Sequence, residues 1–105
     1  MSKTVIIGAT TNTSRYAYMA AERLTEHDIE IVPVGIKVGE VFGEPILPIK
    51  EHPPITDVGT ITLYIGPRHQ PPYYDYLLGL KPRRIIFNPG TENEELMSLA
   101  KSQGV

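Results

Sequence analysis

The sequence predicts an α/β fold, a Rossmann-like open parallel sheet with helices on both faces in three layers. Three observations carry this expectation. Short apolar runs rich in β-branched residues recur at positions 4–7, 29–34, 60–65 and 84–87. Segments with apolar residues at helical spacing follow three of them, at 14–27, 73–80 and 92–102. Glycine, proline or asparagine closes most of the runs. Strands alternating with helices imply parallel pairing, because each helix carries the chain back to start the next strand in the same direction.

The elements follow in order. Thr4-Val5-Ile6-Ile7 has the continuous apolar character of a strand buried on both faces. Ala17, Ala20, Ala21 and Leu24 then fall at i, i+3, i+4 and i+7, the stripe of an amphipathic helix over 14–27. Thr13 or Ser14 is the expected cap. The run IEIVPV, 29–34, reads as a second strand, and its Pro33 belongs near an end or an unpaired side, since proline cannot donate to a ladder. Residues 35–56 contain Gly35, Gly39, Gly43, Pro45, Pro48, Pro53 and Pro54. They read as loop, with a short extended piece over 45–49. TITLYI, 60–65, is a third strand, ended by Gly66-Pro67. Pro71 and Pro72 suit a first helical turn, and Tyr73, Tyr76, Leu77 and Leu80 repeat the helical spacing until Lys81-Pro82. RIIF, 84–87, is a fourth strand and Asn88-Pro89-Gly90 a turn. Thr91 with Glu94 forms a capping-box pattern for a last helix over 92–102, with Leu96, Leu99 and Ala100 inward.

The chain has 105 residues, the size of one domain, 1–105. Folding at that length hides roughly two-thirds of the unfolded surface, so a core forms without staples. A 41% apolar and 21% charged composition is that of a globular protein. The net charge of −2 supplies no basic footprint for nucleic acid. With no cysteine, disulfides, thiolate metal sites and cysteine nucleophiles are excluded. The first apolar run reaches Gly8 too soon for a signal sequence or membrane span. A soluble, cytoplasmic protein is the expectation. No H-E-x-x-H spacing, Ser-His-Asp order or acidic cluster stands out for metal or nucleophilic chemistry.

Ligands of parallel α/β sheets bind outside the carboxyl ends of the strands. Those ends are 8–15, 35–39, 64–69 and 88–91, expected to converge on one edge. Gly8 permits a tight turn and close approach of a ligand to the backbone. Thr10, Thr11, Asn12, Thr13 and Ser14 offer polar side chains. The helix beginning near Ser14 presents free N–H groups and a positive dipole end, and Arg15 adds a fork that suits phosphate. Together they make a pyrophosphate cradle, although a capped helix start with a polar loop would read the same way. An NAD site places an acid at the end of the second strand. Here that stretch is Val34-Gly35-Ile36-Lys37, and a lysine suits a phosphorylated ribose instead. Both NADP and coenzyme A carry one.

With those residues in hand, the chain resembles the small CoA-binding domain proteins, single-domain relatives of the CoA-binding domain of the succinyl-CoA synthetase α subunit. VIIGATTNTSR is similar to the family's V-x-G-A-S-x-x-x-x-R segment, with Thr10 in place of serine. IEIVPVGIKVGEVFGEPILPI resembles its strand and V-x-P-V-N-P-K turn, LYIGPRH its proline-bearing strand end, and IIFNPGTENEEL its last strand and helix start. The resemblance runs along nearly the whole chain. It implies a Rossmann-like fold that binds CoA or an acyl-CoA and has no chemistry of its own. By matching positions, Gly8, Thr10, Thr11 and Arg15 would hold phosphates and Lys37 would meet the ribose phosphate. Tyr64, Ile65 and Pro67 would flank the adenine or the pantetheine arm.

The chain departs from the pattern in three places. Gly35-Ile36 replaces the family's N-P. F-N-P-G replaces W-x-Q-x-G, leaving Asn88 as the candidate contact there. The family also continues into another strand beyond the position of Gly104-Val105, so the sheet either lacks that edge or its ordered part ends there. The alternatives are an NADP-linked redox enzyme or sensor, and a structural or regulatory domain with a vestigial site. His69 lies at the ligand edge and could meet a phosphate. Tyr73, Tyr74 and Tyr76 read as packing, Glu92, Glu94 and Glu95 as acids that complement a helix dipole, and Arg83 and Arg84 as solvated. An exposed sheet edge leaves room for a homodimer without requiring one.

Overall fold

A computed structural model describes residues 2–105. Strand β1, Lys3–Ile7, leads into helix α1, Tyr16–Glu26, and then strand β2, Ile31–Gly35. Three two-residue strands follow: β3, Glu40–Val41, β4, Glu44–Pro45, and β5, Leu47–Pro48. Strand β6, Val58–Leu63, helix α2, Tyr74–Gly79, strand β7, Arg84–Phe87, and helix α3, Glu94–Ser102, complete the chain. Five strands form one sheet in the order β5-β2-β1-β6-β7, with every pairing parallel. This is the Rossmann-like α/β fold expected from the alternation of elements.

The side chains of β1 alternate between two cores because successive residues of a strand point to opposite faces. Val5 and Ile7 pack with Ile61 and Leu63 beneath Leu77 and Leu78 of α2 and Leu96 and Ala100 of α3. Ile49 and Ile55 join this core, so the irregular segment between β5 and β6 covers the sheet where another crossover helix could lie. Ile6 faces the other way, with Ala17 and Ala21 of α1, Ile31, Val41 and Ile46. On that second face α1 lies over β1 and β2. The same face of β6 and β7, carrying Thr60, Thr62, Arg84, Ile86 and Asn88, borders a groove beside Ala20, Arg23 and Leu24 of α1.

Several local features differ from the sequence reading. The region 35–56 is not simply loop. Val41 is buried, and β3 and β4 form a hairpin whose turn residues Phe42 and Gly43 both have positive φ, 50° and 86°. That is the geometry of a tight two-residue hairpin turn; a phenylalanine there gives little turn signal, and the Tyr18 ring at 5.1 Å supports it from α1. The extended piece near Pro45 becomes β5, which pairs only with Val34 and Gly35. Pro33 therefore sits where β2 has no partner on its outer side, which is how it is tolerated within a strand.

Neither Thr13 nor Ser14 caps α1. Arg15 occupies the cap position with no side-chain bond. The Ser14 amide and hydroxyl both donate to Asn12 Oδ1, at 3.1 and 2.7 Å, so the polar side chains are spent on a turn before the helix. The Thr91–Glu94 capping box is also absent. Asn93 caps α3, its Oδ1 accepting from the Leu96 amide at 3.2 Å. Thr91 is buried and its hydroxyl donates to the Asn88 carbonyl at 2.7 Å.

Candidate ligand-binding site

The parallel sheet brings the ends of β1, β6 and β7 together at the carboxyl edge. The order of strands reverses direction of travel between β1 and β6, and such a switch point opens a crevice. A cleft of about 360 Å³ lies there, lined by Gly8, Ser14, Arg15, Tyr16 and Ala17 after β1, Tyr64 and Gly66 after β6, and Pro89, Gly90 and Thr91 after β7. Arg15 is the charged side chain of that lining and no carboxylate belongs to it. The amides of Tyr16 and Ala17 precede the first bonds within α1, which begin with Tyr18 and Met19 donating to the Arg15 carbonyl. Arg15 and the helix dipole thus give the cleft a positive end suited to an anion.

The glycine at the turn acts by its size. The Gly8 amide already donates to the Val34 carbonyl at 2.8 Å, and so does that of Ala9 at 3.0 Å. Neither amide is free for a phosphate. Gly8 has φ +98°, and a Cβ there would stand 3.0 to 3.2 Å from Ile65 and Tyr64 atoms. It lets the β1 turn lie directly against the end of β6. Gly35 serves the second loop in the same way, since a Cβ on it would be 2.6 Å from the Ala9 carbonyl oxygen.

The remaining sequence candidates are placed as follows. Thr10, Thr11 and Asn12 lie on the loop before α1 without lining the cleft; Thr10 Oγ1 accepts from the Asn12 amide at 3.1 Å, and Thr11 lies against Gly39. Lys37 is exposed beyond β2, between Ile36 and Val38, which are 75% and 99% exposed. It stands outside the cleft, near enough in the chain to Gly35 to share its edge. Ile65 and Pro67 follow β6 outside the lining, and His69 ends a short 3-10 helix, Pro67–His69. The Asn88 side chain turns to β6, donating to Thr62 Oγ1 at 2.7 Å and to the Leu63 carbonyl at 2.8 Å. Of the convergent strand ends, the 35–39 segment therefore packs behind the β1 loop rather than on the cleft.

Sequence reasoning did not assign Tyr16 or Ala17 to the site, and it placed Gly66, Pro89, Gly90 and Thr91 at the ligand edge only within the stretches 64–69 and 88–91, without naming them as contacts. The G-P and N-P-G turns at the ends of β6 and β7 are the signal that marks three of them. Among the described residues no cluster of histidine and carboxylates could hold a metal, and no helix is long and apolar enough to cross a membrane.

A family model described as "CoA binding domain" matches residues 2–105. The chain belongs to the CoA-binding domain family. A solved structure described only as an uncharacterized protein is 55% identical over 100% of this chain and 85% of its own, with a TM-score of 0.95. A conserved hypothetical protein from Pyrococcus furiosus is 24% identical, covering 100% of this chain and 90% of its own at a TM-score of 0.82. A hypothetical protein from Pyrococcus horikoshii is 23% identical, over 99% and 72%, at a TM-score of 0.84; these two share the fold. No curated protein matches the sequence.

Proposed function

We propose that this member of the CoA-binding domain family binds coenzyme A or an acyl-CoA as a binding module, with no chemistry of its own. The observation that carries the reading is the cleft at the β1/β6 switch point, with Arg15 and the first amides of α1 on its lining and no acid among them. A diphosphate fits such a mouth because fixed N–H dipoles and a guanidinium need no rearrangement to meet it. In this reading a ribose phosphate reaching beyond the cleft would meet Lys37, which is exposed just past β2 and outside the lining. A volume of about 360 Å³ is at the small end for ligand clefts, so it suits the middle of the ligand, with the nucleotide end lying along the open edge.

Thermal denaturation with CoA, dephospho-CoA, NADP, NAD and ATP tests this. CoA at a hundred times its dissociation constant adds about 2.7 kcal/mol of stability. A weaker shift with dephospho-CoA supports the ribose phosphate contact, and a shift with NADP alone overturns the reading. Arg15→Ala is expected to weaken CoA about tenfold or more in a titration, through loss of a charge-assisted contact, while the protein stays folded because Arg15 is exposed. An unchanged titration removes Arg15 from the site.

A further inference from the structure

Gln70 is fully buried, at 0% exposure. Burying an amide costs several kcal/mol unless its bonds are made, and an apolar side chain of similar size would fill the same space without that demand. Gln70 makes its bonds to two different loops. Its Nε2 donates to the Ile65 carbonyl, just after β6, at 3.0 Å, and to the Thr91 carbonyl, after β7, at 2.9 Å. Its Oε1 accepts from Asn93 Nδ2 at 2.9 Å. The same Asn93 nitrogen donates to the Tyr74 hydroxyl at 2.8 Å, while Asn93 Oδ1 caps α3. One network therefore ties the loops after β6 and β7 to the starts of α2 and α3. Gly66 lies beside one anchor point, and Pro89 and Gly90 lie beside the other; all three line the cleft.

We infer that Gln70 and Asn93 are positioning residues that set the spacing of this wall, and that the wall receives the pantetheine arm of the ligand. The inference rests on the CoA reading above. With the ribose phosphate on the β2 side and the diphosphate at the mouth of α1, the rest of a linear ligand continues toward β6 and β7. There it meets Gly66, Pro89 and Gly90, a surface made mostly of backbone. Such a surface cannot adjust by rotating side chains, so its fit depends on where the loops are held. A displacement of about 1 Å in a positioning element is enough to matter greatly. The nucleotide end lies away from this wall and is independent of it.

Calorimetric titration with CoA and with adenosine 3′,5′-bisphosphate separates the two ends. Gln70→Leu removes both links between the loops. Asn93→Asp keeps an acceptor for the Leu96 amide, and so keeps the α3 cap, but loses the donor to Gln70 and Tyr74. Each variant is expected to lower CoA affinity about tenfold while holding adenosine 3′,5′-bisphosphate within about twofold, a split near 1 kcal/mol. Equal losses for the two ligands, or no loss for either, overturn the positioning role and leave CoA binding standing. If neither variant folds, the network is a requirement of folding and the inference is overturned. Wild-type protein that takes up neither ligand removes the functional reading itself, and this inference with it.

Discussion

The two walls of the cleft are built in opposite ways. The wall after β1 is exposed from Thr11 to Tyr16, and the side-chain oxygens of Thr10 and Asn12 accept from groups two residues further on. The wall after β6 and β7 is held by buried Gln70 and Thr91, and the bond from Gln70 Nε2 to the Thr91 carbonyl crosses 21 residues of sequence. Local turns cost little to form or lose, because the unfolded chain samples them too. Long-range buried bonds exist only in the folded protein, and losing one strands a polar group away from water. The first wall is thus held by local turn bonds and the second by bonds between distant segments. Gly8 is where they touch, its Cα facing Tyr64 and Ile65.

That contact yields the largest effect expected in this comparison. Gly8→Ala combines a φ of +98°, rarely adopted by side-chain-bearing residues, with neighbours at 3.0 to 3.2 Å, two of them Tyr64 atoms next to the strand. A loss of about 2 kcal/mol is expected, read as a lower urea midpoint at unchanged slope. A variant as stable as wild type would show that the walls do not bear on each other.

A smaller effect is expected behind the braced wall, where α2 is fastened to the crossover segment. The Tyr76 hydroxyl donates to the Pro53 carbonyl at 2.6 Å, and its ring stacks on His52 at 5.0 Å. Tyr76→Phe is expected to cost about 1 kcal/mol at neutral pH. Burial pushes the Tyr76 hydroxyl up to about 12 from an ordinary 10.0. The folded state therefore holds this proton where the unfolded chain has lost it, and stability falls as pH rises through that interval. The advantage of wild type over Tyr76→Phe should be constant below pH 10.0 and shrink between pH 10.0 and about 12. Burial also raises Tyr74, which both proteins retain, so it cancels in the difference. Parallel stability curves over that interval would deny the linkage.

The smallest effect belongs to the soft wall. Asn12→Ala removes the acceptor for the Ser14 amide and hydroxyl, both exposed to water that can replace it. About 0.5 kcal/mol is expected, a fall in melting temperature of about 3 °C for a domain of this size. A loss as large as that of Gly8→Ala would make the first wall as dependent on its bonds as the second.

The sequence was most informative where the physics is local. The run Arg84–Phe87 has the observed bounds of β7, because Pro82 and Arg83 precede the apolar pattern and Asn88-Pro89-Gly90 ends it. Ala17 and Ala21 mark the inward face of α1 by spacing alone. The mouth of α1 with Gly8, Ser14 and Arg15 was legible for the same reason, a turn residue followed directly by a helix. Pairing was not. Leu47-Pro48 becomes an edge strand only because Val34 and Gly35 offer it a partner, and the β3–β4 hairpin depends on Val41 and Ile46 finding the α1 core.

Composition, apolar period and turn residues by themselves determined the alternation of strands and helices, and hence a parallel sheet with its loops at one edge. Tertiary structure alone decided which of those loops line the cleft. It placed Lys37 beyond the lining, turned Asn88 toward Thr62 and buried Gln70 between two loops. The reason is that periodicity records which face of an element is buried, whereas a bond between positions 70 and 91 depends on how the whole chain returns on itself, which no local spacing encodes.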